Sequence, residues 1–92
     1  MIESYRIAQN AIADLKSAIL MLLDEYGEQG LRNVDIGRAL GIYSGHVRHE
    51  GHIPRTLLEM MVHEGVVRQD KSSQLWFLVR PQPGSGRSAA DD

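Results

Sequence analysis

A single apolar stripe governs the first third of the chain. Tyr5, Ala8, Ile12, Leu15, Ile19, Leu22 and Tyr26 follow one another at steps of three and four residues. Such steps keep side chains on one face of an α-helix, in heptad register. No proline interrupts the run, and Gly27 and Gly30 close it, glycine being the usual C-terminal stop. The spacing predicts a first helix within residues 1–27. About 24 helical residues at a rise of about 1.5 Å give a length of about 36 Å. That is long for a domain cut from 92 residues. Leu20, Met21 and Leu23 widen the stripe, which predicts burial on more than one side near the C-terminal end. The N-terminal half is polar apart from the stripe. It either projects to meet a partner helix or lies on the domain's own core. In the first case Tyr5, Ala8, Ile12, Leu15 and Ile19 make a homodimer interface.

The remaining elements are short. Asn33 suits an N-cap and Asp35 the positive end of a helix dipole, which predicts a second helix over 33–41. Ile36, Ala39 and Leu40 would face inward, Asp35 and Arg38 outward, with Gly41 as the stop. Ile42 to Gly51 reads as a loop of ten residues, against about 2–8 for most helix–helix connections. A third helix over 53–64 carries Pro54 in its first turn, where a missing N–H costs little. Ile53, Leu57, Leu58, Met61 and Val62 form its apolar face, and Gly65 ends it. Steps of about 100° place His52, Arg55, Thr56, Glu59 and His63 on the other side. From Val66 the period falls to two. Val66–Gln69 and Leu75–Arg80 read as the strands of a hairpin over 66–80, joined by Asp70-Lys71-Ser72-Ser73. Pro81, Pro83, Gly84 and Gly86 mark residues 81–92 as a disordered tail. The expectation is one domain over 1–80, α+β and mostly helical.

Several classes of function drop out. The chain has no cysteine, which removes disulfides, thiol catalysis and cysteine-ligated zinc. The longest apolar run, Ala18 to Leu23, is far short of the roughly 20 residues a membrane span needs. The N-terminus has no basic and apolar leader pattern, so a cytoplasmic location is expected. No serine sits in a nucleophile elbow and no glycine run resembles a phosphate loop. Asp14, Asp24 and Glu28 read as solvated helix charge, so no enzyme and no cofactor are expected. His46, His49 and His52 are three apart, a spacing that suits metal ligands on a helix. Their segment instead reads as a loop with Gly45 and Gly51, and structural zinc wants four ligands. Solvated or phosphate-facing histidines are the better reading.

The order of elements, three helices and then a hairpin, brings a family into view. Leu31-Arg32-Asn33-Val34-Asp35-Ile36-Gly37-Arg38-Ala39-Leu40-Gly41-Ile42 gives a short helix ending in Leu-Gly-Ile. Leu57-Leu58-Glu59-Met60-Met61-Val62-His63-Glu64-Gly65-Val66-Val67 gives a third helix closing in Glu-Gly-Val-Val, and Leu75-Trp76-Phe77-Leu78 a strand after it. Residues 31–80 thereby resemble a winged helix-turn-helix domain. Gly30-Leu31-Arg32-Asn33, the long connection and Gly65-Val66-Val67 are further similar to winged helices associated with restriction enzymes. The chain departs from the superfamily in the length of the turn between its second and third helices.

The resemblance implies a small homodimeric transcriptional regulator that binds double-stranded DNA. Its third helix would enter the major groove, with base contacts from His52, Arg55, Thr56 and Glu59. Arg68, Lys71, Ser72 and Ser73 of the wing would hold the backbone or enter a minor groove, although Lys-Ser-Ser also makes an ordinary soluble hairpin tip. Further backbone contacts would come from Arg32, Asn33, Arg38, Tyr43, Ser44, Arg48 and His49. Charge supports this only mildly. Residues 31–80 carry seven Lys/Arg against five Asp/Glu, and residues 1–30 carry two against five. So near a balance gives weak affinity for one copy, since affinity follows the phosphates neutralised. The same near-neutrality favours an alternative, a protein-interaction module or an accessory subunit of a restriction-modification type complex with a larger protein partner.

Overall fold

The computed structural model describes residues 2–43 and 51–80. The loop residues 44–50 and the tail 81–92 lie outside them, as do the expectations placed there. The order is α1 (Ile2–Tyr26), a 3₁₀ turn (Gly27–Gln29), α2 (Asn33–Leu40), α3 (His52–His63), β1 (Val67–Gln69) and β2 (Trp76–Leu78). The architecture is α+β and mostly helical, with one two-stranded antiparallel sheet. No helix among the described residues is long and apolar enough to cross a membrane.

One core serves every element. Ile19 and Leu23 of α1, Leu31, Ile36 of α2, Leu57, Leu58 and Met61 of α3, Val67 of β1 and Trp76 of β2 are all buried. Each fully buried aliphatic side chain contributes about 1.5–3 kcal/mol relative to exposure. Residues 2–11 of α1 are all exposed, while Ile12 and Leu15 are half-buried. The stripe therefore divides. Ile19 is fully buried within its own chain, so it is not available to a dimer interface. Met21 also departs from expectation, at 73% exposed, because α2, α3 and the sheet cover α1 from one side only.

The α2 boundary falls one residue early. Arg32 is the N-cap, with an extended backbone, and its N–H donates to Asp35 Oδ2 at 3.4 Å. Arginine has no side-chain acceptor, so only this half of a capping box forms. Asn33, expected as the cap, instead donates its amide to the Gly51 carbonyl at 3.0 Å and ties α2 to the start of α3. Ile36 and Gly37 face the core, and Ala39 is exposed, contrary to expectation. In α3 the inward row is Pro54, Leu57, Leu58 and Met61, a complete helical stripe. Ile53 and Val62 were expected in it, but Pro54 takes the inward place and leaves them at the edges, 41% and 44% exposed.

The hairpin pairs Val67 with Leu78, Arg68 with Phe77 and Gln69 with Trp76. Its strands are shorter than the sequence pattern predicted. A third backbone segment joins it: Trp76 N–H donates to Leu31 O at 2.7 Å, and Leu31 N–H returns to Trp76 O at 3.2 Å. Gly30 permits that approach. Its φ is +69°, and a Cβ there would stand 2.6 Å from Phe77 Cε1. Two ion pairs reinforce the layers, Lys16 with Glu64 and Arg80 with Asp24.

Candidate functional site

Between α3 and the hairpin runs an open groove of about 780 Å³, floored by the N-terminus of α2. Arg55, Glu59, Val62 and His63 come from α3, Arg68, Lys71, Gln69 and Gln74 from the hairpin, and Arg32, Asn33, Val34 and Tyr43 from the floor, with Trp76 behind. The walls carry four Lys/Arg against one carboxylate.

Local structure explains most of these placements. Arg55 and Glu59 are one helical turn apart on α3, so both reach the same side. Arg68 lies over the Phe77 ring at 4.5 Å, its partner across the strands. Tyr43 is wedged against Gly51, where a Cβ would stand 2.6 Å from its Cε1, and Arg38 covers its ring at 5.3 Å. Gly51 has φ +82° and begins α3, so the glycine both turns the chain and admits the tyrosine. Two polar atoms of the groove residues, Trp76 Nε1 and Asn33 Oδ1, are buried without a hydrogen-bond partner.

At the hairpin tip, hydrogen bonds converge on Asp70. Ser72 Oγ donates to its Oδ2 at 2.9 Å, Ser73 Oγ at 2.7 Å and Ser73 N–H at 2.9 Å. The Ser73 hydroxyl, the Ser73 N–H and then the Ser72 hydroxyl hold the Asp70 carboxyl below its ordinary pKa. Both serine hydroxyl protons are thus committed within the chain. A phosphate needs donors, and Lys71 is the side chain of this tip that still offers one.

Of the expected site residues, the groove unites Arg32, Asn33, Tyr43, Arg55, Glu59, Arg68 and Lys71. His52 and Thr56 are exposed on α3 but outside the groove walls, as is Arg38. Ser44, Arg48 and His49 lie outside the described residues. His63, Gln69 and Gln74 join the walls without having been expected, and Val62, read as core, is a wall as well. No group of three or more His, Asp or Glu suited to a metal ion occurs among the described residues.

Charge pairing distinguishes this groove from the rest of the surface. Arg6, Lys16 and Arg80 each lie against a carboxylate, and all three are away from the groove. Arg32 reaches Asp35 only at 3.7 Å. Among the described residues Arg38, Arg55, Arg68 and Lys71 have no carboxylate within pairing distance, and three of these four line the groove. No family model, no curated protein and no solved structure matches the chain.

Proposed function

We propose that the chain is a winged helix-turn-helix protein that binds double-stranded DNA, as a small transcriptional regulator would. The α3 helix enters the major groove, and one strand's phosphates pass between α3 and the hairpin. The concentration on one groove of Arg55, Arg68 and Lys71, none of them in direct contact with a carboxylate, carries this reading. A cation already held by a carboxylate gains little from a phosphate, whereas an unpaired one gains the full contact and releases a counterion. The hairpin after the third helix and the Leu31–Trp76 bridge that anchors it also support this assignment.

The test is anisotropy of a mixed-sequence duplex titrated across roughly 25 to 200 mM salt, a range over which phosphate contacts change affinity strongly. With about four phosphates neutralised, log K should fall with log salt at a slope of about −3 to −4. Arg55→Ala should reduce the slope by about 1, and Arg6→Ala, whose guanidinium is held by Glu3, should leave it unchanged. No binding at the lowest salt overturns the reading. A protein-docking face is the second reading, as in an accessory subunit, and it rests on Ile53 and Met60, 41% and 36% exposed on the same helix. In that case Met60→Glu, rather than Arg55→Ala, is the variant that abolishes association with a larger protein.

A further inference from the structure

The two walls of the groove differ in charge. Among the described residues that line it, the hairpin wall carries Arg68 and Lys71 and no carboxylate, and Arg32 adds a cation at the floor. The α3 wall carries Arg55 and Glu59, which offset each other, and then His63. These three follow one another at steps of four residues, so turns of about 100° per residue keep them within about 80° on one side of the helix. Between about pH 5 and pH 8 arginine and lysine stay cationic and glutamate stays anionic. Histidine is the side chain whose charge changes in that range. His63 is exposed, and it is the one histidine among the described residues that line the groove. The α3 wall is therefore neutral at the upper end of the range and positive at the lower end.

Among the described residues, the elements packed on α3 bring no second histidine to this wall, and their charges are accounted for. From α1, Lys16 is held by Glu64, the residue beside His63. From α2, Asp35 lies within reach of Arg32 and Arg38 covers the Tyr43 ring, and neither Asp35 nor Arg38 lines the groove. From the hairpin, Asp70 is turned onto Ser72 and Ser73. Arg55 and His63 stand about 12 Å apart along the helix axis. Phosphates of one strand recur every 3.4 Å or so along the duplex, so the two side chains meet different ones. A neutral imidazole offers a phosphate one N–H, whereas a protonated one offers two donors and a full charge. We propose that protonation of His63 regulates DNA binding by this groove, by adding one phosphate contact at the α3 wall. This regulation presupposes DNA binding in the groove, and its sign is a tighter complex at lower pH.

Anisotropy of a mixed-sequence duplex titrated with the full chain at about pH 5.5 and about pH 8, across roughly 25 to 200 mM salt, reads the effect directly. One more phosphate contact steepens the slope of log K against log salt by about 0.9, which is about five- to tenfold in affinity at about 0.1 M salt. The parent should show both changes on going from the higher pH to the lower. His63→Gln keeps a neutral donor in place and should bind at the lower pH as the parent binds at the higher. His52→Gln, outside the groove walls, should keep the parent's ratio between the two. Residue 63 is exposed, so its exchange should leave the circular dichroism spectrum unchanged. Coupling between two ligands is reciprocal, so formation of the complex must take up protons. Calorimetry at an intermediate pH, in two buffers of different ionisation heat, should find uptake by the parent and less by His63→Gln. Equal affinity of the parent at the two pH values overturns the regulation and leaves DNA binding standing, and so does a His63→Gln protein that keeps the parent's ratio or its proton uptake. No binding at either pH in the lowest salt overturns both.

Discussion

Tyr5 and Ile19 occupy the same sector of one helix, two heptads apart, yet Tyr5 is 67% exposed and Ile19 fully buried. The contrast separates two things that a periodic stripe merges. A stripe fixes which face of a helix is apolar, because that follows from 3.6 residues per turn. What covers the face depends on segments distant in sequence. Here α2, α3 and β2 cover α1 from Ile12 onward and leave residues 2–11 open.

The largest expected effect tests this division directly. Ile19→Ala removes a side chain with no exposure and should cost about 2–5 kcal/mol in urea unfolding followed by circular dichroism. Tyr5→Ala should stay within about 0.5 kcal/mol of the parent. Equal costs at the two positions would mean that the N-terminal half packs on its own domain after all.

The next effect concerns how the cover over α1 is held. Gly30→Ala puts a Cβ at positive φ and 2.6 Å from Phe77 Cε1, on a strand that packs against α1. A loss of about 1–3 kcal/mol is expected from backbone strain and the displaced ring together. Because the strain lies beneath the sheet, the melting temperature should fall while helix content in the native state is kept.

Helices were legible in the sequence where repeated steps of three and four left no alternative, as in α1 and in Leu57, Leu58 and Met61 of α3, although the inward place of Pro54 was not. Ends and single contacts were not. Asn33 has the chemistry of a cap, but its amide is used across the chain by the Gly51 carbonyl, a contact 18 residues away. The Leu31–Trp76 bridge is one residue long on one side and leaves no period to read. In the groove, Arg55, Glu59, Arg68 and Lys71 were legible as polar positions of a helix and a turn. Val62 was not, since an apolar residue at a stripe's edge reads as core. The fate of Ser72 and Ser73 depended on whether Asp70 would turn its carboxylate onto them, which is a matter of turn geometry and not of composition.

The hairpin tip supplies the smallest effect, and it tests the comparison from the other side, since it is ordered without being buried. Asp70, half-buried at the edge of an exposed tip, accepts three hydrogen bonds from Ser72 and Ser73. These bonds favour its charged form and lower its folded pKa, the Ser73 hydroxyl most of all. In the unfolded chain the carboxyl titrates near its free value, about 3.9. With the folded pKa below the unfolded one, the stabilisation is complete above about pH 3.9 and is lost as the pH falls through the folded pKa. Asp70→Asn should therefore be slightly less stable than the parent at neutral pH. The two should converge at the acid end, where both lack the charge. Urea midpoints taken at a series of pH values would reveal this as a shallower acid limb for the variant. Parallel limbs would mean that the turn is held by its backbone bonds, Asp70 N–H to Leu75 O and Gln74 N–H to Asp70 O, and that the carboxylate only decorates it. If the limbs do converge, local hydrogen bonding alone orders the tip that presents Lys71 to the groove, while burial orders the far end of the same sheet.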